Sequence, residues 1–588
     1  MLQLARRFLC LALAFAFGLE GSPSLGSDSR LTTILDRYSV NGVVRSAIGV
    51  TSQGTAIPCF IAEEELAQDT QKYRILIVGG LDGTTDSVER SMKVLTNFQS
   101  ETELHERYTV SCVPCARPDA LSQNALTELR FPPEGNAYNE PENDEAQYLW
   151  RWIGMHAPDL VIDLRAGSGS TWAYPTESME AVETICKRLS ENSMRPAVDG
   201  SLIVALSEGS PSEVGSIPGF QSDSESLLRV ITTALDTRFE SPPSSAARKE
   251  INRRSSRSTR EVMQELAEVY GGRLDRVMYI PSLAVMGRMR LGEVTGNDRY
   301  LRDAMAMASP YRSGEKESMP AKGNGSVLSG HLVFSELARR SGDSGWTALA
   351  KKAADHGFDA SGQPKESMPF HNEMSDSVFM GCAILAEVGA LTGDEKYFDQ
   401  CLRHLRFMQA RCLRDDGLYR HSPLDEAAWG RGNGFPALGI SLSLSALPED
   451  SEAFPFFLKS YRAHLNALRK HQDPTGAWHQ VIDREESYRE FTATCMITFA
   501  MVRGMRRGWL DHKEWSPVVE RAWHAIKSRI GRKGRLVDVC TGTGKQKTLR
   551  QYFDRTAILG PDDRGGAMAL MVSTEIAFWE KERESGSK

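Results

Sequence analysis

The sequence predicts a multidomain protein in which an α/β domain is followed by an all-α domain of paired helices. The first observation is length, because 588 residues exceed what one hydrophobic core usually supports. The second is that short β-branched runs alternate with helical segments only up to about residue 240. The third is a glycine-containing phrase that recurs through the rest of the chain, which is typical of repeated helix pairs.

The first 26 residues have the order of a secretory signal peptide. Arg6 and Arg7 precede the apolar run Phe8–Leu19, and small residues follow that run. We therefore expect residues 1–26 to be removed and the protein to be secreted or periplasmic. The alternative is a short membrane anchor, and the arginine pair is a weak indication of twin-arginine export.

The composition argues against nucleic-acid, membrane and zinc-site classes. A formal net charge of −7 offers no basic footprint for a nucleic acid. After the signal segment, no apolar run is long enough to span a membrane. Among ten cysteines, Cys112 and Cys115 form the one close pair, with no second pair or histidine spacing to complete a zinc site. Buried or incidental thiols are the better interpretation.

Residues 30–240 are predicted to form an α/β sandwich around a central sheet. The runs Tyr73–Val78, Thr109–Val113 and Leu160–Leu164 are typical of buried strands. Helical segments such as Glu145–Met155 lie between them. Alternation of this kind indicates helices packed on the faces of a sheet.

Residues 241–262 are predicted to be a linker. Serine and proline are dense in Ser241–Ser245, and arginine and serine alternate in Arg253–Ser258. Such composition usually marks a connection between domains.

Residues 263–588 are predicted to form a toroid of helix pairs. The phrases around Gly296, Gly342 and Gly393 each end one amphipathic helix with a glycine and open the next with an acidic first turn. A second phrase, a glycine turn followed by bulky residues, recurs at residues 416–419, 475–478 and 533–536. An open solenoid is the alternative, but a closed barrel gathers one set of loops into a central cleft.

Two segments of this domain carry the candidate chemistry. Asp376 lies in an apolar setting and can donate a proton, while Trp429–Gly434 holds an arginine between two glycines beside an aromatic ring. An acid, a guanidinium and an aromatic surface together suit an acidic sugar. The structural alternatives are a helix N-cap for Asp376, a helix-start salt bridge for Arg431 and a core position for Trp429.

The second domain resembles the unsaturated uronyl hydrolases of glycoside hydrolase families 88 and 105. The matching motifs run in order along the domain. They are Ser375–Met380, Gly417–His421, Trp429–Gly434, Gly476–Val481, Tyr488–Glu490, Cys540–Gly544 and Asp562–Gly565. The resemblance implies an (α/α)6 barrel glycosidase that acts on sugars carrying a C4=C5 double bond left by a polysaccharide lyase.

The resemblance also implies how the residues work. Asp376 is the expected catalytic acid, which protonates the enol ether at C4 and then, as a base, helps water add at C5; its pKa must therefore lie towards neutrality. The chemistry requires no metal and no cofactor. The expected substrate-binding residues are Arg431, Trp429, His421, His371 and Asn433.

The chain departs from the family pattern in two places. A second aspartate is expected near Asn324–His331, but that segment has no carboxylate, so Asn324, Ser326 or His331 would have to take its positioning role, with His371 as a further candidate to compensate. Phe435 stands where tryptophan is usual.

The first domain resembles the zinc carboxypeptidases of the M14 type. The matching segments are Ile77–Thr85, Val113–Ala120 and Asp163–Gly167. The family's zinc ligands fall on Asp82, Thr85 and Arg165, and threonine and arginine do not support a hydrolytic zinc site. The resemblance therefore implies an inactive relative, in which Arg165 either binds an anion such as a uronate or serves the fold.

Two functions follow for the whole chain. The first is a secreted glycoside hydrolase that hydrates unsaturated uronic-acid oligosaccharides from pectin-like or rhamnogalacturonan-type polysaccharides. The second is a noncatalytic glycan-binding protein built from two degenerate enzyme domains. Both have an acidic oligosaccharide as partner.

Overall fold

The computed structural model describes residues 29–67, 70–121, 129–135, 138, 144–167, 169–175, 178–188, 194–209 and 211–586. The predicted signal peptide, residues 1–26, lies outside the described residues. Within the described ranges, no helix combines the length and the apolar character that crossing a membrane requires.

An eight-stranded mixed sheet forms the centre of the first domain. Its order in space is β1-β2-β4-β3-β5-β8-β6-β7, with parallel pairing between β3 and β4, β3 and β5, and β5 and β8. The strands are β1 (Val43–Val50), β2 (Ala56–Ala62), β3 (Tyr73–Val78), β4 (Tyr108–Val113), β5 (Leu160–Leu164), β6 (Ser170–Ala173), β7 (Met194–Pro196) and β8 (Gly219–Ser222).

Helices cover both faces of this sheet. Successive β3 residues point to opposite sides, so Ile75 and Ile77 join one apolar cluster and Leu76 and Val78 join another. The first cluster contains α1 (Ser29–Leu35), α2 (Thr85–Ser100), α4 (Met179–Arg188) and α6 (Leu227–Arg238). The second contains α3 (Asp144–His156) and α5 (Leu202–Glu208). The predicted α/β sandwich is therefore confirmed.

Twelve helices of the second domain form a closed ring of six pairs. The inner helices are α9 (Tyr279–Thr295), α12 (Leu332–Ser341), α14 (Ala383–Thr392), α16 (Gly430–Ala446), α18 (Phe491–Arg506) and α21 (Asp563–Gly586). The outer helices are α8 (Thr259–Val269), α10 (Arg299–Arg312), α13 (Ser344–Ala354), α15 (Lys396–Cys412), α17 (Ala453–Arg469) and α19 (His512–Ser528). Each inner helix contacts the next, and α21 contacts α9 and closes the ring. The structure is thus the predicted closed (α/α)6 barrel rather than an open solenoid.

Burial distinguishes the inner from the outer helices. Helix α16 is buried from Gly430 to Leu444, and α18 is buried from Phe491 to Met505, whereas α17 and α19 bury one face each. The predicted glycine stops are confirmed, because Gly296, Gly342 and Gly393 adopt left-handed conformations immediately after α9, α12 and α14.

Short elements occupy the connections of the barrel. They are α11 (Gly325–Gly330), a π-helix (Val378–Cys382), β9 (Trp478–His479), β10 (Arg489–Glu490), β11 (Leu536–Cys540), α20 (Leu549–Phe553) and β12 (Ala557–Gly560). Strand β9 pairs with β10, and β11 pairs with β12.

The predicted linker at residues 241–262 is largely helical. It contains α7 (Ala246–Ser256) and the start of α8. The serines that indicated a linker cap these helices: the Ser245 side chain accepts from the Arg248 N–H, and Ser258 forms a capping box with Glu261. Arg254 is buried and donates to carbonyls of both domains, at Ser212 and Ser528.

The two domains share one apolar cluster. Trp429, Tyr488 and Tyr552 from the barrel connections pack with α3, α5 and the sheet. The Tyr138 ring stacks on the Tyr488 ring at a centroid distance of 4.8 Å. Asp538 of β11 accepts from Arg151 Nη1 at 2.9 Å and from the Tyr138 hydroxyl at 3.0 Å. The first domain therefore packs against the connections that precede the inner helices.

Replacing Asp538 by asparagine should destabilise the domain interface. Arg151 is almost fully buried, so the substitution removes the charge that compensates it, at a cost of about 2 kcal/mol or more. Asparagine keeps the left-handed backbone that Asp538 adopts. We expect thermal unfolding to begin several degrees lower. Glu180→Gln, which removes the exposed partner of Arg238, should change the unfolding temperature little; equal shifts in the two variants would contradict this account.

Candidate active site

The candidate site lies where the inner helices begin. The Tyr279 ring, at the start of α9, packs edge-on against Phe379 and Phe435, with centroid distances of 6.2 and 5.6 Å. Arg431 near the start of α16 and Arg564 near the start of α21 both donate to the Cys540 carbonyl. Ring closure thus brings together side chains that are up to 285 positions apart in the sequence.

Asp376 is buried in a tight turn before the π-helix, with 6% of its surface exposed. The turn is held by Ser375, whose N–H donates to the His421 carbonyl at 2.9 Å and whose hydroxyl donates to the Gly432 carbonyl at 2.6 Å. No hydrogen bond from the described residues ends on the Asp376 carboxylate. The alternative of an N-cap is therefore not what the structure has, and the acid is held in place by its backbone.

His421 lies directly beside this acid. Its Nε2 is 3.4 Å from Asp376 Oδ1, and its Nδ1 is 2.9 Å from the Tyr552 hydroxyl oxygen. Within the described part of the chain, Asp376 Oδ1, His421 Nε2 and Trp429 Nε1 are buried without a hydrogen-bond partner. The distance between Asp376 and His421 is short, but the atoms are not aligned for a hydrogen bond. Buried polar atoms that lack partners mark a place for water or ligand.

Trp429 forms one wall of this cluster. Its ring lies 4.4 Å from the His421 ring and 4.6 Å from the Arg431 guanidinium carbon, measured from centroids. The side chain is almost wholly buried in the apolar cluster that joins the domains. It therefore occupies the core position that the sequence left as the alternative, while its indole N–H is still unpaired.

Arg431 does not present the expected fork to a substrate. It is 2% exposed, its Nη1 donates to the Cys540 carbonyl at 2.8 Å, and its Nη2 donates to the Thr541 carbonyl at 2.6 Å. Each terminal nitrogen of this buried guanidinium thus already donates to a backbone carbonyl. The guanidinium instead holds the Cys540–Thr541 connection against the start of α16.

Asn433 also has a structural role in place of the predicted substrate contact. Its amide donates to the Tyr419 carbonyl at 2.8 Å and the Trp429 carbonyl at 3.0 Å, and its Oδ1 accepts from the Tyr419 N–H at 2.8 Å. It is fully buried, and these bonds use its donors and one acceptor position. Asn433 fixes the strand that leads to His421.

His371 lies at the rim and is half-buried. Its backbone is left-handed, and its Nδ1 is 3.1 Å from the Met380 sulfur of the π-helix. A Cβ at Gly325 would come within 2.9 Å of the same ring nitrogen. His371 is thus close to the helical turn of Asp376 and to α11.

The segment expected to supply a second aspartate holds one unsatisfied polar group. Asn324 caps α11 by accepting from the Val327 N–H at 3.0 Å. His331 is buried against the Val327 carbonyl, and burial lowers its pKa to about 4. The Ser326 hydroxyl is buried with no partner among the described residues. Of the three substitutes considered, Ser326 is the one whose polar group is buried without a partner among the described residues.

Three residues of the site were not singled out from the sequence. Tyr552 supports His421, and burial raises the pKa of its hydroxyl above the usual range. Tyr279 interacts electrostatically with Arg431, Arg564 and Asp376, and burial raises its pKa as well. Arg564 lies two positions after Asp562 in one of the motifs that match the family. Its position directly after an acidic pair was the signal from which it could have been predicted. Its side chain keeps 17% exposure.

The first domain places its candidate residues in a hydrogen-bonded turn. Asp82 accepts from the hydroxyls of Thr84 and Ser87 and from the Ala166 N–H at 2.8 Å. Arg165 Nε donates to Asp163 at 2.9 Å. Across the described residues there is no group of three or more histidine, cysteine, aspartate or glutamate side chains suited to a metal ion. The carboxypeptidase likeness of this domain stays a prediction.

Residues 249–578 match the family model of Glycosyl Hydrolase Family 88. The unsaturated rhamnogalacturonyl hydrolase YesR of Bacillus subtilis is 27% identical over 187 residues, which cover 30% of this chain and 52% of that protein. An unsaturated 3S-rhamnoglycuronyl hydrolase of Alteromonas sp. is 26% identical over 219 residues, covering 35% and 51% respectively. The chain therefore spans about half the length of these curated relatives.

Solved structures also resemble the second domain. A possible GH105 family member from Salmonella enterica is 20% identical, with a TM-score of 0.48, and the match covers 54% of this chain and 93% of that one. A glycosyl hydrolase family 88 protein from Bacteroides vulgatus is 17% identical, with a TM-score of 0.46, covering 55% and 100%.

Asn433→Ala should lower stability rather than act on substrate binding alone. The substitution leaves the Tyr419 backbone groups buried without partners, at a cost of about 2 kcal/mol or more. We expect a lower midpoint in urea unfolding followed by circular dichroism. Asn297→Ala removes an exposed amide that accepts one backbone N–H, and it should leave the midpoint nearly unchanged. An unchanged urea midpoint for Asn433→Ala would contradict this structural role and would favour the predicted role of Asn433 in substrate binding.

Proposed function

The chain belongs to Glycosyl Hydrolase Family 88, and on that premise we propose that its barrel hydrates the C4=C5 double bond of an unsaturated uronic acid at the end of an oligosaccharide. One observation carries the proposal: Asp376 Oδ1 and His421 Nε2 lie 3.4 Å apart, both buried and both without a hydrogen-bond partner among the described residues. Acid-base catalysis needs groups that are positioned but not already satisfied.

The reaction proceeds by protonation of an enol ether. The Asp376 carboxyl group gives its proton to C4, and the positive charge that forms at C5 is shared with the ring oxygen. The resulting carboxylate then takes a proton from water as the water oxygen bonds to C5. The hemiketal opens and releases the neighbouring sugar. One carboxyl group is acid and then base, so the cycle returns it to its starting form.

His421 and Tyr552 position this acid. The Tyr552 hydroxyl holds the imidazole through Nδ1, and this leaves Nε2 3.4 Å from Asp376 Oδ1. An imidazole beside the carboxylate stabilises the negative charge that appears after the first proton transfer. Both residues act through Asp376 and the bound sugar ring rather than as the proton donor to C4.

Arg564 is the proposed partner of the uronate carboxylate. It shares the Cys540 carbonyl with Arg431 and interacts with Tyr279, but its side chain is more exposed than that of Arg431. Asp562 lies 3.4 Å from its Nη1, a distance that leaves this contact weak enough to exchange for a substrate carboxylate.

The first domain, residues 30–240, is proposed to close one side of the cleft. Its residues pack on the connections that carry Trp429, Tyr488 and Tyr552, all of which precede inner helices. A covered cleft favours short oligosaccharides that enter with their unsaturated end. The names of the curated relatives make uronates joined to rhamnose, as in rhamnogalacturonan, the first substrates to test. The apolar N-terminal run supports a secreted or periplasmic enzyme.

A noncatalytic glycan-binding role is the second candidate. Ser326 occupies the segment where a second carboxylate was expected, and a hydroxyl can orient a sugar without sharing in proton transfer. Under this alternative the same cleft binds the unsaturated sugar and leaves the double bond intact.

Asp376→Asn should abolish turnover while preserving the fold. An amide cannot supply the proton, and general acid-base groups contribute about 10²- to 10⁴-fold to rate. Loss of double-bond absorbance in the ultraviolet measures turnover on unsaturated disaccharides. Asp394→Asn, at an exposed carboxylate between α14 and α15, is the matched control and should retain wild-type activity. Wild-type turnover by Asp376→Asn would contradict the assignment.

Arg564→Gln should raise KM for the unsaturated uronate with a smaller effect on kcat. The variant removes a charge-assisted contact worth about 1.5–3 kcal/mol, which corresponds to roughly a tenfold to hundredfold change in KM. Arg299→Gln removes an exposed guanidinium at the start of α10 and should leave both constants unchanged. An unchanged KM for Arg564→Gln would show that another residue binds the substrate carboxylate.

A further inference from the structure

A cavity between the two domains is lined by four arginines and two histidines among apolar and neutral polar side chains. Its volume is about 110 Å³, and it lies away from Asp376. Glu65 is the acid in its lining among the described residues. The basic and imidazole side chains in the lining are Arg74, His156, Arg248, Arg489, His524 and Arg529.

Both domains supply these cations. Arg74 belongs to β3, His156 ends α3, and Arg248 belongs to α7, the helix that connects the domains. Arg489 lies in β10, and Arg529 follows α19 directly. The cavity exists because the two domains pack together.

The negative charge near the cavity does not balance these cations. Asp473 lies 2.8 Å from Arg489 Nη2 and 3.2 Å from His479, so it is shared. Glu65 lies 2.9 Å from His156 and also accepts from the Ser111 hydroxyl. Arg74, Arg248 and Arg529 have no carboxylate within 4.0 Å among the described residues and donate to carbonyl oxygens instead. These three guanidinium groups therefore make no direct ion pair, although Glu65 and Asp159 act on Arg74, and Asp538 and Asp473 act on Arg529, from a greater distance.

Arg529 is the clearest of these groups. It is 5% exposed, and its Nη1 donates to the Ala525 carbonyl at 3.2 Å. That contact at the end of α19 gives one of the three guanidinium nitrogens a hydrogen-bond acceptor. Its Nε is buried with no partner, and so is the Nε of Arg489, which is 6% exposed. Both residues with an unsatisfied Nε donor line this cavity.

The surroundings of His524 agree with an excess of positive charge. Burial, together with the charges of Lys527, Arg74 and Arg529, lowers the pKa of this imidazole to about 4. A neutral imidazole can donate one hydrogen bond to an anion without adding to the charge.

We propose that this cavity binds one small tetrahedral oxyanion of the sulfate or phosphate type, which joins the two domains. Guanidinium forks match the geometry of such an anion and supply charge-assisted hydrogen bonds. Buried, uncompensated charges are strongly unfavourable, and an anion removes that penalty for several arginines at once. The volume holds a few water molecules or one such ion, and it is below the roughly 300 Å³ at which drug-sized ligands are bound.

The test is equilibrium dialysis of the whole chain with radiolabelled sulfate, and separately phosphate, at low ionic strength. We expect saturable binding of one ion per chain. Arg529→Gln should weaken this binding at least tenfold, whereas Arg238→Gln, at an exposed arginine of the first domain, should not change it. Thermal unfolding gives a second readout: the rise in unfolding temperature with sulfate, relative to chloride at equal ionic strength, should be smaller in Arg529→Gln than in wild type.

Three outcomes would overturn the proposal. They are no saturable binding to the wild-type chain, equal binding by Arg529→Gln and wild type, or acetate competing as strongly as sulfate. Circular dichroism checks that Arg529→Gln is folded, and if it is not, Arg248→Gln should show the same loss of binding. None of these measurements depends on turnover, so failure here leaves the hydrolase assignment to its own tests.

Discussion

Closure of the helical ring is the constraint on which the rest of this structure depends. When α21 packs against α9, the starts of the inner helices are forced into one region, although they are spread over nearly 300 positions. Those starts carry Tyr279, Arg431 and Arg564, and the turn of Asp376 lies beside them. The site is therefore a product of the barrel's geometry and not of any one motif.

Buried polar groups then divide into those that build the site and those left to act in it. Arg431, Asn433 and Glu490 have their hydrogen bonds directed to backbone groups, and Glu490 caps α18 while accepting from the Cys540 N–H at 2.9 Å. They hold the connections of the barrel rigidly. Asp376 and His421, in contrast, keep facing atoms unsatisfied. A rigid support around unsatisfied groups is what positioned acid-base chemistry requires.

Packing of the first domain also supports the site from outside the barrel. The first domain covers connections that support Tyr552 and Trp429, so its sheet contributes indirectly to the order of the site. The Arg151–Asp538 pair and the Tyr138–Tyr488 stack hold this arrangement together. The arginine-containing cavity lies at the same interface and would strengthen it further when an anion is bound.

Local sequence signals predicted local structure well. They did not predict which distant groups form hydrogen bonds with a buried side chain. The glycine stops at Gly296, Gly342 and Gly393 and the strand runs depend on nearby residues, so they could be predicted. The serine-rich linker contains helices that its composition did not indicate, because serine also caps helices, as Ser245 and Ser258 do. The partners of Arg431 lie more than a hundred positions away, and no local pattern states whether its donors meet substrate or backbone. Tyr552 was missed for the same reason, since His421 is 131 positions from it.

The central claim is that the Asp376 cluster performs chemistry on an unsaturated uronate rather than only binding it. Proton NMR of the wild-type chain mixed at near-equal concentration with an unsaturated rhamnogalacturonan disaccharide tests this most directly. The account predicts loss of the C4 vinyl proton signal with appearance of an equal amount of free reducing sugar. Broadened or shifted substrate signals with the vinyl proton intact would contradict it, because they would show a protein that binds the sugar and leaves the double bond untouched.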